Sequence, residues 1–231
     1  MRCLLIIPAI LLMSISAFAQ YTETNFEEFN DLYFRNHSYV DDLGYKDIEG
    51  NPYSNVDLVP GNIEFVSGFK KDSIPMRYNW YTKTMEFMPE DEILEMPASK
   101  NIKQIELGGE KYIPFFYLSS VGGYLLELYR DDISLFRQNK VQFVDVKPAT
   151  SGYEETQPAK FQWARPTYIV ITDKGDLIRL DQNKKRFANQ FPAYKDELKA
   201  YIKENKINLK NEEDLKKLIA VINEWEKPGQ E

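Results

Sequence analysis

The sequence predicts a mainly β protein, either an antiparallel sandwich or an open barrel, with a C-terminal helical hairpin. Between residues 61 and 180, apolar and polar residues alternate in short runs, which is the pattern of half-buried strands. Turn signals such as Gly108-Gly109 separate these runs about every 8–12 residues, as in antiparallel sheets. After Leu180 the apolar spacing changes to that of amphipathic helices.

Residues 1–19 have the features of a cleaved signal peptide. Arg2 supplies a positive start, Leu4 to Leu12 forms an apolar stretch, and Ala17-Phe18-Ala19 matches the small-x-small pattern of a cleavage site. The apolar stretch is shorter than the roughly 20 residues that a membrane-spanning helix needs. We therefore expect cleavage before Gln20 and no transmembrane segment in the mature chain.

Cleavage would remove the only cysteine of the chain, Cys3. This cysteine lies ahead of the apolar stretch, whereas a bacterial lipoprotein carries its modified cysteine at the end of that stretch. The mature protein would then have neither disulfides nor thiolate metal sites. An exported, cysteine-free chain rich in Lys, Asn and Tyr indicates a bacterial envelope protein, periplasmic or extracellular and soluble rather than lipid-anchored.

Charge and residue counts exclude several functional classes. With 29 Lys and Arg against 36 Asp and Glu, the net charge of −7 argues against nucleic acid as a partner. His37 is the only histidine, and its segment does not resemble the surroundings of a Ser-His-Asp triad or a zinc site. The glycine pair Gly122-Gly123 lacks a phosphate-loop continuation and predicts a turn. We expect no metal, no cofactor and no catalytic residues.

Carboxylates are the remaining route to catalysis, because a glycosidase needs only two of them facing one cleft. A carboxylate-based hydrolase is therefore an alternative. Glutamates that alternate with apolar residues more commonly mark the solvated face of a strand. The candidates are Glu86, Glu90, Asp91, Glu92, Glu95, Glu106 and Glu127.

The acidic segment from Asp41 to Gly50 is a candidate for a calcium loop, but it departs from the pattern of such loops. Such loops place oxygen ligands at alternate positions before their glycine, and Leu43 and Tyr45 interrupt that spacing. The segment is turn-rich through Pro60, and residues 20–60 are predicted to form an irregular N-terminal wrap with one short helix near residues 25–34.

The strands predicted in residues 61–180 fall into two groups separated by a polar loop, residues 147–160. The groups are two sheets of a sandwich or two small subdomains. Residues 181–231 form the predicted helical hairpin. Its first helix starts near Pro192 and ends near Asn205, and its second starts after Asn211, a suitable N-cap.

Aromatic residues are the remaining functional signal, since the chain has 15 Tyr, 14 Phe and 3 Trp. Tyrosine commonly lies where one end of its ring is buried and the other is wet. Candidate ligand contacts are Tyr78, Trp80, Tyr112 and Phe116, as the lining of a cavity or a surface that stacks on sugars. The alternative is that these rings are core residues and cross-strand pairs.

Short motifs occur in a definite order along the chain: Gly50-Asn51-Pro52-Tyr53, then Pro75-Met76-Arg77-Tyr78-Asn79, then Met85-Glu86-Phe87. In these motifs, in Lys160-Phe161 and in the end piece from Lys203 to Leu218, the chain resembles an uncharacterised group of exported proteins common in Bacteroidota. The resemblance covers most of residues 50–222. It implies export and lineage, and no activity or binding residues.

Together these observations favour a non-enzymatic envelope or extracellular module that binds an unknown protein or small ligand. The hydrolase remains an alternative. A third hypothesis is a barrel that carries apolar ligands, which requires a cavity walled by the Tyr and Phe strands.

Overall fold

The structure is a computed structural model that describes residues 48–89, 93–117, 120–149 and 155–227. The predicted signal peptide, the predicted short helix near residues 25–34 and most of the calcium candidate segment lie outside the described residues. His37 and the carboxylates at positions 90–92 also lie outside them.

Ten strands form one antiparallel sheet, which confirms the mainly β prediction. Across the sheet the strands follow the order β10-β9-β8-β7-β6-β5-β1-β2-β3-β4. In chain order they are β1 (Val59–Phe65), β2 (Lys70–Asn79), β3 (Thr84–Phe87), β4 (Leu94–Met96), β5 (Ile102–Leu107), β6 (Glu110–Tyr117), β7 (Ser120–Tyr129), β8 (Ser134–Val144), β9 (Lys160–Ile171) and β10 (Leu177–Arg179).

The two glycine pairs have different roles. Gly108-Gly109 forms the predicted turn between β5 and β6, with φ of 60° and 80°. The turn predicted at Gly122-Gly123 is wrong, because both residues lie inside β7. A Cβ at Gly122 would come within 2.5 Å of the Phe115 ring, and one at Gly123 within 2.6 Å of the Tyr78 hydroxyl. Glycine is needed there for close packing, not for chain reversal.

The polar loop at residues 147–160 does not separate two sheets or two subdomains. β8 and β9 are neighbours in the single sheet, paired from Ser134 with Ile171 to Val144 with Lys160. An isolated bridge between Lys147 and Gln157 continues the pairing. The loop is therefore the tip of one long hairpin.

The sheet curls so that β2 contacts β7, which is four places away in the sheet order. The backbone N–H of Tyr124 in β7 donates to the Tyr78 hydroxyl in β2 at 2.9 Å. The Tyr124 hydroxyl donates to the carbonyl of Pro97 at 3.3 Å. This curl encloses the main apolar core, and the described strands form one open sheet rather than the two sheets of a sandwich.

The C-terminal helical hairpin is confirmed, and a short helix precedes it. The helices are α1 (Lys184–Asn189), α2 (Lys195–Glu204), which a 3-10 turn at Pro192–Tyr194 precedes, and α3 (Glu212–Glu226). As predicted, Asn211 caps α3, since its side chain accepts from the Asp214 N–H at 3.0 Å. None of the described helices is both long and apolar enough to cross a membrane.

The helices pack on the sheet through a second apolar core that includes Leu135 and Val170. Asn223 of α3 is 1% exposed and fixes this contact. Its side-chain oxygen accepts from the Ile133 N–H at 2.8 Å, and its amide donates to the Ile133 carbonyl at 2.9 Å. The opposite face of the same strands carries a third, smaller cluster with Phe136 and Ile169.

Candidate functional site

Three of the four aromatic residues predicted as ligand contacts lie in the main core. Tyr78, Trp80 and Tyr112 are 1%, 3% and 0% exposed. Their ring centroids are 4.4 to 6.1 Å apart, so they pack directly on one another. Phe116 is half-buried against the same core. These rings fill the interior of the curled sheet, and they present almost no surface on which a sugar could stack.

Burial also determines the chemistry of the core tyrosines. Loss of hydration raises the pKa of Tyr78 and of Tyr124 well above the usual value, because the charged phenolate is disfavoured in the interior. For Tyr112, burial and the nearby Glu110 carboxylate raise the pKa in the same direction. These hydroxyls are neutral hydrogen-bonding groups of the core.

Glu86, a candidate carboxylate, is fully buried in an ion pair. One of its oxygens accepts from Arg77 Nε at 2.7 Å and the other from Asn79 Nδ2 at 2.8 Å. Arg77 also donates to the Val56 carbonyl at 2.6 Å, and its guanidinium lies 3.6 Å from the centroid of the Tyr53 ring. Both Glu86 oxygens accept hydrogen bonds from neighbouring side chains, so Glu86 stabilises the contact between β2 and β3.

The contacts around Glu86 and Arg77 bring residues of the three sequence motifs together. Tyr53 belongs to the first motif, Arg77 and Asn79 to the second, and Glu86 to the third. The three motifs thus meet in one buried cluster that joins residues 48–58 to β2 and β3. In this structure the motif residues are therefore packing partners of one another.

Among the other described candidate carboxylates, Glu127 forms ion pairs, and Glu106 and Glu95 have defined cross-strand neighbours. Glu127 lies 3.7 Å from Lys111 and forms a second ion pair with Arg130. Glu106 is the cross-strand partner of Lys111. Glu95 is the cross-strand neighbour of the buried Glu86.

A shallow polar pocket of about 90 Å³ lies on β1, β2 and β5. Within it, Glu64 accepts from Lys103 at 2.8 Å and from Gln104 at 2.9 Å. The hydrogen bond from Lys103 lowers the pKa of the Glu64 carboxyl. A general acid needs the opposite shift, so Glu64 itself does not have the protonation that this role requires. Its lining is Asn62, Ile63, Glu64, Lys70, Asp72, Gln104 and Glu106.

Residues 48–58, which we call the strap, cross from β9 to β2. Glu49 pairs with Lys160 at the start of β9: its N–H donates to the Ala159 carbonyl at 3.0 Å, and its carbonyl accepts from the Phe161 N–H at 2.9 Å. Further along, the Pro52 carbonyl accepts from the Trp80 N–H at 2.9 Å. The strap therefore ties the start of β9 to the end of β2.

An aromatic surface lies where the strap meets the β8–β9 hairpin. Phe143 pairs with Phe161 and Val141 with Trp163, so these side chains share one face of the hairpin. The Tyr81 ring contacts Phe143 and Phe161, at centroid distances of 6.4 and 5.3 Å. We define the aromatic surface as Tyr81, Phe143, Phe161 and Trp163.

Three members of the aromatic surface are among the exposed large hydrophobic side chains of the described residues. Tyr81 is 41%, Phe143 39% and Trp163 46% exposed, while Phe161 is buried beneath them at 6%. Trp163 Nε1 donates to the Asn51 carbonyl at 3.0 Å, which fixes the indole against the strap. The rings are thus held in place before any partner arrives.

Sequence reasoning did not select Phe143 or Trp163. Both lie in alternating segments that look like any other strand, such as Phe161-Gln162-Trp163. The available signal was their position beside the long polar loop at residues 147–160, which indicates a hairpin end without a helix to cover it.

Comparisons with protein-family models, with curated proteins and with solved structures give no match to this chain. Among the residues that the structure describes, no three His, Cys, Asp or Glu side chains come together as metal ligands.

Proposed function

We propose that this protein is an exported, non-enzymatic binding module of the bacterial envelope, and that the aromatic surface contacts its partner. The observation that carries the proposal is the exposure of Tyr81, Phe143 and Trp163, each about two-fifths or more, on one fixed surface. Exposed aromatic side chains are costly in water and are enriched where proteins bind partners.

The filled core supports a binding role over the transport of apolar ligands. Tyr78, Trp80 and Tyr112 occupy the interior where a ligand cavity would have to be. The ion pairs of Glu86 and Glu127 support binding over carboxylate hydrolysis, because a catalytic pair needs carboxyl groups that are free to reach a substrate.

The export part of the proposal rests on the sequence of residues 1–19. An envelope location restricts the partner to exported proteins, peptides or glycans, since the aromatic surface is then outside the cytoplasm. The acidic net charge of −7 excludes a mainly electrostatic contact with nucleic acid.

Site-specific photo-crosslinking in the producing bacterium tests this proposal. A photoreactive phenylalanine analogue at Phe143 should form a discrete adduct, and the adduct should disappear when Trp163→Ala is added. The matched control is the same analogue at Val66, which is 65% exposed in the turn after β1. Absence of an adduct at position 143, or equal adducts at both positions, would contradict the proposal.

A further inference from the structure

The outer edge of β9 contains a gap between two internal pairings. Along its other edge, β9 is paired with β8 over almost its whole length. On the outer edge, Glu49 of the strap pairs at Lys160, and β10 pairs with residues 169–171. The Leu180 N–H, directly after β10, donates to the Tyr168 carbonyl at 2.9 Å. The unpaired stretch from Gln162 to Thr167 is about 20 Å long at the usual rise of a strand.

Backbone groups of Trp163 point into this gap. The Phe161 N–H donates to Glu49, on the side away from β8. Alternate residues of a strand direct their N–H and C=O groups to the same side, so those of Trp163 also point outward. Within the described part of the chain, no residue forms a backbone hydrogen bond with Trp163 on that side.

The strap turns away before it reaches this stretch. Gly50 has a φ of +76°, and a Cβ there would lie 3.0 Å from the Phe161 carbonyl oxygen. After this turn the strap runs over the face of the hairpin, where Asn51 meets the indole of Trp163. Residues Gln162 to Arg165 consequently remain exposed.

Two basic residues of β9 lie in or beside the gap, and one acidic residue, Glu49 of the strap, is paired with the first of them, Lys160. Lys160 precedes the gap and Arg165 lies within it, and neither forms an ion pair within the described residues. A strand that carries carboxylates would be electrostatically complementary to both. An extended backbone also supplies the alternating donors and acceptors that the Trp163 groups need, which a glycan or a helix does not.

From this geometry we infer that the gap accepts an extended, acidic peptide segment of a partner as an added β-strand beside β9. The inference rests on the proposed function, since the added strand would lie next to the aromatic surface. Trp163 belongs to both the gap and the aromatic surface. Its backbone pairs with the added strand, and its indole contacts the side chains of that strand.

Pro166 limits the length of the added strand. Proline has no N–H and is tolerated at sheet edges, where it discourages uncontrolled pairing. The register of β8 and β9 also shifts between Gln138 and Lys140, opposite this part of β9. Such irregularities favour a short, specific strand over edge-to-edge aggregation.

The test is an NMR titration of the mature chain with a synthetic peptide of alternating valine and glutamate. We expect saturable binding, with shifts in the backbone amides of Gln162 to Arg165. The same peptide with alternate amides N-methylated should not bind, because it cannot pair with a strand edge. A peptide with lysine in place of glutamate should bind at least several-fold more weakly.

A pair of variants separates the backbone from the side chain. Trp163→Ala and Trp163→Pro both remove the indole, but only the proline removes the outward N–H. We expect the affinity for the glutamate peptide to be about tenfold lower in Trp163→Pro than in Trp163→Ala. Amide dispersion reports whether the proline variant folds, and the N-methylated peptide tests the same point in the unaltered protein.

Three results would overturn the inference: no binding of the glutamate peptide, equal binding of its N-methylated form, or shifts confined to other strands. A glucose hexasaccharide that perturbs the Trp163 indole while the glutamate peptide does not bind would assign the aromatic surface to glycans. A photo-adduct at Phe143 without peptide binding would leave the proposed function intact and reject only strand addition.

Discussion

The two ends of the β8–β9 hairpin share one ladder but have different surroundings. At the end near the helices, Leu135 and Ile169 are 0% exposed, and side chains on both faces are buried. At the other end, Phe143 and Trp163 are 39% and 46% exposed. Strand pairing is continuous between them apart from one register shift. Backbone pairing therefore continues along the whole hairpin, while the packing of other elements on its side chains determines which end is buried and which end stays exposed.

The largest expected effect is a loss of stability at alkaline pH, caused by the buried tyrosines of the main core. Burial raises the folded-state pKa of Tyr78, Tyr112 and Tyr124, so their contribution to stability is complete below the unfolded value near pH 10 and is lost as pH rises. Above that pH, each of these three tyrosines lowers the free energy of unfolding by about 1.4 kcal/mol per pH unit. Together they lower it by roughly 4 kcal/mol per pH unit.

We expect cooperative unfolding about one to four pH units above pH 10, since typical stabilities are about 5–15 kcal/mol and roughly 4 kcal/mol is lost per pH unit. Tyrosinate absorbance and far-ultraviolet circular dichroism, recorded together, measure it. Ionisation of all tyrosines in a chain that keeps its sheet signal would show that the core rings are accessible to water.

The second prediction compares the two ends of the hairpin directly. Ile169→Ala at the covered end should lower the free energy of unfolding by about 2–5 kcal/mol, because it leaves a cavity in a fully buried cluster. Gln162→Ala at the exposed end should change it by about 0.5 kcal/mol or less. Urea denaturation measures both, and similar losses would remove the distinction between the ends.

The third prediction tests whether Asn223 anchors α3 on the buried end of the β8–β9 hairpin. Asn223→Ala should cost about 2–3 kcal/mol, because the Ile133 N–H and carbonyl lose their side-chain partner in a buried position. Exchange of the Ile133 amide hydrogen should accelerate. The control is Asn205→Ala, an exposed helix-end amide that donates to the Tyr201 carbonyl, with an expected cost below about 0.5 kcal/mol. Equal costs would mean that Asn223 does not anchor α3.

The smallest effect on stability belongs to the exposed end. Phe143→Ser should lower the free energy of unfolding by less than about 1 kcal/mol, since the ring is already partly in water. The same change should abolish the partner adduct that a photoreactive group at Tyr81 forms. A large loss of stability in the urea transition would show instead that Phe143 belongs to the core.

Local patterns predicted many elements because their causes are local. Alternation identified β2 and β3, and the Asn211 cap with the acidic first turn located the start of α3. The pairing of β1 with β5 could not be predicted from the sequence, because alternation shows which residues share a face and not which strands are neighbours. For the same reason the long β8–β9 hairpin was divided into two groups of strands.

Three of the candidate ligand contacts, Tyr78, Trp80 and Tyr112, lie in the core for a related reason. Tyr78 and Trp163 both occupy alternate positions of aromatic-rich strands, and only the curl of the sheet places one inside and leaves the other outside. The curl depends on close contacts such as that of Gly123 with Tyr78, which join β7 to β2. These contacts depend on the whole fold, and the sequence pattern around each residue does not contain them.

The strap has a consequence for the order of events during folding. Asn51 and Trp163, which it brings together, are 112 positions apart in the chain. Contacts of such long range close large loops and form slowly, after local hairpins and helices. A chain synthesised from its N-terminus presents the strap long before β9 exists. The aromatic surface should consequently take its final shape late in folding, so that partly folded chains do not yet offer a complete binding site.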